Sequence, residues 1–306
     1  MRKIWLFLLL WLIFSQNVEA EKTHALVVLK FPMSAKIVGM GETSVGIPDG
    51  INSIFSNPAG LSVINYKEFI ASYSSFVDTN YGWLGYAQRI NSGSVFSLSL
   101  ITLQAGNMEI NYLNNESKKV KAESDYVIIL SNGFMVNKRL SLGINLKAIQ
   151  SELAEEVKTK AHALDLGTLL LVSENMNLGA GIQNLGSKVK YKEKEDTLPF
   201  NIRVGGGYRF SLPYENEVTL GIDLIKPKNE SKKVNVGLEY AGIERELIDN
   251  NLRLYLRVGY EIGYDTKGIT LGIGFVERRF QLDYAYLPRN DLGNSHYISF
   301  KIKFDE

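Results

Sequence analysis

The strongest constraint on this chain is an alternation of apolar and polar residues, repeated from about Lys67 to the C-terminus. In HYISFKIKF, His296 to Phe304, Ile298, Phe300, Ile302 and Phe304 fall on one face of an extended strand. Tyr297, Ser299, Lys301 and Lys303 fall on the other. Successive side chains of a strand point to opposite faces, so this run is apolar on one side and wet on the other. Val218, Leu220, Ile222 and Leu224 alternate in the same way with Thr219, Gly221 and Asp223. Leu254, Leu256, Val258 and Tyr260 alternate with Arg253, Tyr255, Arg257 and Gly259. The pattern predicts strands over 67–78, 81–90, 93–103, 124–136, 139–151, 158–172, 175–185, 198–211, 216–225, 231–241, 251–262, 268–276, 278–287 and 295–304. That is about 14, an even number, with lengths near the ~9–11 residues that cross a bilayer at a tilt. An all-β chain in one antiparallel sheet, closed into a monomeric barrel with its apolar face toward lipid, satisfies every run. A soluble β-sandwich also alternates. The unbroken succession of strands and the terminal Phe304 favour the barrel.

Charge supports this reading by exclusion. The 34 basic and 33 acidic side chains nearly cancel, whereas a nucleic-acid partner asks for a strong basic excess. There is no cysteine, so disulfides and thiolate metal sites are excluded. The 16 Tyr and 14 Phe suit a barrel girdled by aromatic residues.

Met1 to Ala20 reads as a secretory leader. Arg2 and Lys3 form its charged start, Ile4 to Phe14 its apolar core, and Val18-Glu19-Ala20 a small-residue cleavage site before Glu21. The sequence therefore predicts a leader over 1–20, an N-terminal segment over 21–66 and a barrel over 67–306.

Residues 33–66 do not alternate. They are rich in small residues, Gly and Pro, and predict short helical turns and loops. Gly39, Gly41 and Gly46 lack the third glycine and the βαβ setting of a dinucleotide loop. They fit close packing of backbone on backbone.

The stretch GMGETSVGIPDGINSIFSNPAGL, Gly39 to Leu61, resembles the N-terminal segment of FadL-like outer-membrane barrels, and most closely that of the PorV/PorQ branch. The resemblance rests on Gly39, Gly41, Glu42 and Thr43, on Asp49, and on Asn57, Pro58, Ala59, Gly60 and Leu61. It implies a hatch folded inside the barrel and a bacterial outer-membrane location. It further implies transport of hydrophobic compounds such as long-chain fatty acids. The PorV branch implies a different role, as a non-enzymatic adaptor of type IX protein secretion with secreted proteins as partners. FadL-like transporters open their wall at a kinked third strand, but here Ser94 to Leu103 contains no Gly or Pro. Asn132-Gly133 in the next strand is the nearest candidate. The terminal HYISFKIKF resembles the signal read by the barrel-assembly machinery, although Asp305-Glu306 follows its Phe.

The connections predict orientation. Short turns at 91–93, 137–138, 173–175 and 277 alternate with longer ones at 104–123, 186–197, 226–230 and 288–294. Short turns belong to the periplasmic side and long loops outside. Residues 79–80 and 242–250 break this rule, and weak alternation over 107–113 predicts a small extra hairpin.

Chemistry is sparse. Of the three histidines, His162 and His296 have outward parity and His24 lies near the start, which argues against a lumenal serine hydrolase or a two-histidine zinc site. No catalytic residue, metal site or cofactor is assigned. Alternation places Asp165, Arg203, Arg209, Asp223, Glu239, Arg253, Arg257, Glu261 and Asp283 inside. These predict a network that holds the hatch and hydrates the lumen. Alternatively, Arg203, Arg209 or Arg257 contacts the carboxylate of a ligand, which an arginine fork matches.

Overall fold

The computed structural model describes residues 26–111, 116–191, 194–243, 252–266, 268–289 and 293–304. The leader and its cleavage site, and His24, lie outside these residues. The first described residues form a 3-10 turn (Val27–Lys30), one short helix, α1 (Ala35–Gly39), and two further 3-10 turns (Gly50–Phe55 and Pro58–Val63). Strands then follow in chain order: β1 (Lys67–Phe76), β2 (Thr79–Asn91), β3 (Ser94–Ala105), β4 (Asn107–Asn111), β5 (Ser117–Lys121), β6 (Glu123–Met135), β7 (Leu140–Leu153), β8 (Val157–Ser173) and β9 (Met176–Gly186). The second half comprises β10 (Val189–Tyr191), β11 (Lys194–Asp196), β12 (Asn201–Ser211), β13 (Glu217–Pro227), β14 (Lys233–Ile243), β15 (Leu252–Ile262), β16 (Ile269–Glu277), β17 (Phe280–Pro288) and β18 (Asn294–Phe304).

Fourteen of these strands form a closed antiparallel barrel. It closes where β1 pairs with β18, from Lys67 opposite Phe304 to Ser75 opposite His296. The other four strands form two hairpins, β4–β5 and β10–β11, that interrupt the succession without entering the wall. The first is the small hairpin expected near 107–113. The second lies within the 186–197 connection and carries no comparable alternation.

The connection expected at 79–80 is made two residues earlier. Val77 and Asp78 both have positive φ, 39° and 50°, as a tight hairpin turn matching the right-handed strand twist requires. Strand β3 pairs with β6 without a register break from Ser94 to Gln104, and its pairing with β2 shifts only at the turn end, between Arg89 and Asn91. The shift nearest the lumenal cavities lies in β8–β9, between Leu164 and Leu166.

Alternation in sequence becomes alternation in exposure. Ile222 is 47% exposed on the outer wall, and its neighbour Asp223 is fully buried. The reading of Asp223 as a water-facing lumenal charge needs correcting: its Oδ2 accepts the backbone N–H groups of Ser44 and Val45, at 2.9 and 3.0 Å. In bilayer unfolding experiments, Ile222→Arg should cost about 2–4 kcal/mol by placing a charge in lipid. Asp223→Ala should cost about 3 kcal/mol, because two buried donors lose a charged acceptor. An Asp223→Ala variant as stable as the wild type would contradict the bonding described here.

Candidate functional site

The N-terminal segment lies against the inner faces of the strands, and glycine makes the approach possible. On the inner wall Gly133, Gly143, Gly167 and Gly181 stand directly opposite one another across β6, β7, β8 and β9. Gly207, Gly221, Gly237 and Gly259 do the same across β12 to β15. The segment's backbone fills the space that side chains would occupy. A Cβ at Gly143 would lie closer than 3.0 Å to Pro58 and Ala59, one at Gly237 to Met40, and one at Gly259 to Met40 and Gly41.

The residues that carry the family resemblance shape this contact. Gly39 faces Gly272 of β16. Gly41, at φ 62°, sits against the backbone of β14 and β15. Its N–H donates to Thr270 Oγ1 at 3.0 Å, and that hydroxyl donates to the Gly39 carbonyl at 3.2 Å. Asn57 caps the turn it begins. Its Oδ1 accepts from the Ala59 N–H at 3.2 Å, and its Nδ2 donates to the carbonyls of Val45 and Thr168, both at 2.9 Å. Pro58, Ala59, Gly60 and Leu61 continue the turn and are buried, as is Thr43. At the turn end of the barrel, Arg89 binds the Ile64 carbonyl at 2.7 Å and Asn65 Oδ1 at 2.8 Å.

Ion pairs hold the same segment on one side. Lys36 contacts Asp49 at 3.1 Å and Glu239 at 3.8 Å. Arg257 binds Glu239 at 2.6 Å and Asp283 at 2.7 Å. Lys301 lies 3.9 Å from Asp49 and 3.7 Å from Glu68, which accepts the Ile51 N–H at 2.8 Å. A second group joins Lys147 to Asp165 at 2.7 Å, and Asn145 links that carboxylate to the Ile54 carbonyl. Buried pairs of this kind add little net stability, because desolvation offsets their attraction, but removing one partner leaves a costly unpaired charge. Alternation had pointed to Asp165, Glu239, Arg257 and Asp283. Lys301 had been placed on the polar face of its strand without a partner, and Lys147, which has the same inward parity, went unread.

Above the segment, at the loop end, lies a cavity of about 320 Å³. Phe31, Phe200 and Tyr264 supply apolar walls, and Glu42, Arg203, Lys233 and Arg289 supply charge. Below it is a smaller space of about 30 Å³ whose lining includes Val28, Ile54, Phe55, Ile101 and Ile129. Lys30, Phe31, Asn201 and Arg203 line both. Lys30 is tied to Glu230 at 2.7 Å, and Lys233 binds the other oxygen of that carboxylate. Burial would raise the Glu230 pKa, but these two ammonium groups hold it down to about 2. Arg289 lies over the rings of Phe31 and Phe76, 5.0 and 4.3 Å from their centroids.

The three candidate arginines are not gathered into one place. Arg257 is engaged by two carboxylates. Arg209 is exposed close to the end of β12. Of the three, Arg203 alone borders the cavities; it is 8% exposed, and its Nε has no hydrogen-bond partner among the described residues. His162 and His296 are exposed on the outer wall.

No protein-family profile and no curated protein sequence matches this chain. Solved structures do. The CymD monoaromatic hydrocarbon channel superposes with a TM-score of 0.64 at 12% identity, covering 93% of this chain and 100% of that one. The P. putida toluene transporter TodX gives 0.62 at 12% identity over 95% and 100%. A Pseudomonas aeruginosa FadL homologue gives 0.56 at 10% identity over 89% and 98%. What is shared at these identities is the fold: this chain has the barrel fold of these three proteins.

Proposed function

We propose that this chain is an outer-membrane channel for hydrophobic compounds, with residues 1–20 a cleaved leader, 21–66 a hatch that plugs the lumen, and 67–306 the barrel. One observation carries the reading: two adjoining cavities lead from the loop-side mouth to the hatch. A volume of about 320 Å³ is at the small end of ligand pockets, roughly 300–1,000 Å³. It suits a ring or a short chain without rearrangement, and a long-chain fatty acid only in part. Arg203 is placed to meet an acidic or polar head, since a buried guanidinium gains most from a charged acceptor.

Organic extraction of the purified protein, followed by mass spectrometry, tests this. A hydrophobic small molecule is expected at near one per chain, and Arg203→Ala should weaken retention of acidic ligands about tenfold while sparing neutral ones. Recovery of membrane lipid alone would sink the channel reading.

The stretch from Gly39 to Leu61 supports a second reading, the PorV-like secretion adaptor, as does the backbone-to-backbone seating of the hatch. An adaptor needs no conduit through its lumen. Capture of secreted proteins or secretion-pore subunits by a chain that retains no small molecule would favour it. Under either reading the barrel-assembly machinery inserts the protein, with the strand from His296 to Phe304 as its signal.

A further inference from the structure

The outer wall changes character at one place. Near the loop end, exposed Tyr73, Tyr126 and Tyr260 mark where the apolar belt stops, as tyrosines do at a membrane interface. Strand β8 departs from this pattern. Its outward residues read Val172, Leu170, Thr168, Leu166 and Leu164 from the turn end, and then His162, Lys160 and Lys158.

Strand register puts these beside particular neighbours. Lys160 stands opposite Gln150 of β7, which stands opposite Tyr126 of β6. One step toward the bilayer the row is His162, Ala148 and Ile128, and one step further it is Leu164, Leu146 and Leu130. Directly opposite residues on one face have Cβ atoms about 4.5–5.5 Å apart. An ammonium, a carboxamide and a phenol therefore line up within roughly 10 Å, and each can donate a hydrogen bond. Below them Ala148 leaves a notch between two larger side chains.

The charges are not all free. Lys158 is answered by Glu152 at 3.2 Å, and Lys188 of the neighbouring loop by Glu195 at 2.9 Å. Lys160 has no ion-pair partner among the described residues. The short strand β10 packs against β8, but its exposed Lys190 stands opposite Glu195 of β11, so the positive charge at this face rests on Lys160.

We propose that this face of β6–β8 holds one acidic lipid of the loop-side leaflet, its phosphate on Lys160, Gln150, Tyr126 and His162 and an acyl chain over Ala148. The height of the row selects a lipid over a soluble anion. Its donors lie where hydrocarbon gives way to headgroups, and the apolar stripe continues beneath them without a break. Basic residues at that level attract anionic headgroups.

The full-length protein in phosphatidylcholine nanodiscs doped with phosphatidic acid provides the test, with retained lipid counted by native mass spectrometry. The wild type should keep one phosphatidic acid per chain. Lys160→Gln combined with His162→Gln should weaken retention about tenfold, and Lys160→Arg should preserve it. Glu152→Gln removes a neighbouring negative charge and should bind at least as tightly. Equal retention by the double variant overturns the proposal. So does weakened binding in Glu152→Gln, or displacement of the lipid by millimolar inorganic phosphate, which would mark a site for soluble anions.

Discussion

Excising residues 33–60 should turn a barrel that conducts little into an open pore. The segment brings Ile37, Val38, Met40, Val45, Ile51, Ile54 and Leu61 into full burial against the inner wall. Each large side chain withdrawn from water contributes roughly 1.5–3 kcal/mol, so the segment has strong reason to stay. Without it, the lumen is lined by the glycine rows, by polar side chains and by an apolar patch that includes Ile70, Trp83, Ile101 and Ile129, and a barrel of this strand number is wide enough to hold water. Single-channel recording in planar bilayers is the measurement, with the full-length chain as reference. A deletion variant that inserts and conducts no more than the reference would show that the segment does not seal the barrel.

The second large effect should come from one added side chain. Gly259→Val places branched carbon where the backbone of Met40 and Gly41 already lies. Neither backbone can give way without breaking the bonds from Gly41 to Thr270 and from Thr270 to Gly39. Overpacking a well-filled site costs about 1–3 kcal/mol, and a backbone collision belongs at the top of that range. The expected result is a lower urea midpoint in bilayers together with raised ion leak, as the segment is pushed off the wall. Gly93→Ala is the control. An added Cβ there meets nothing nearer than 3.7 Å, so its cost should stay within about 0.5 kcal/mol. If both variants unfold alike, the glycine rows are not the seat of the segment.

Much of the wall was legible because its physics is local. A period-two pattern depends only on which side of a strand meets lipid, and it located the strands to within about three residues. Val77 and Asp78 escaped it because φ above zero at a turn leaves little trace when neither residue is Gly or Asn. The hairpin β10–β11 escaped it because three-residue strands are too short to alternate. Close packing of Gly39, Gly41 and Gly46 was readable from composition. Their partners on the wall were not, since the rows emerge only when register places Gly207, Gly221, Gly237 and Gly259 side by side. Lys36 shows a different limit. It sits in a segment without alternation, so nothing in its neighbourhood indicates that Asp49 and Glu239 will share it. Arg203, Arg209 and Arg257 have one parity and three fates, because parity reports the face of a strand and not the height along it.

Three residues, Ile64, Asn65 and Tyr66, join the last 3-10 turn to β1. An extended chain reaches at most ~3.3–3.6 Å per residue, so this tether allows a displacement of roughly 10 Å, and only after Arg89 releases Ile64 and Asn65. The segment runs from the loop-side mouth, where Lys30 and Phe31 lie, to the turn end. A leash that short cannot let a body of that length swing clear like a door. Any passage through this barrel has to come from the segment changing shape in place, and at the mouth that means parting Lys30 from Glu230.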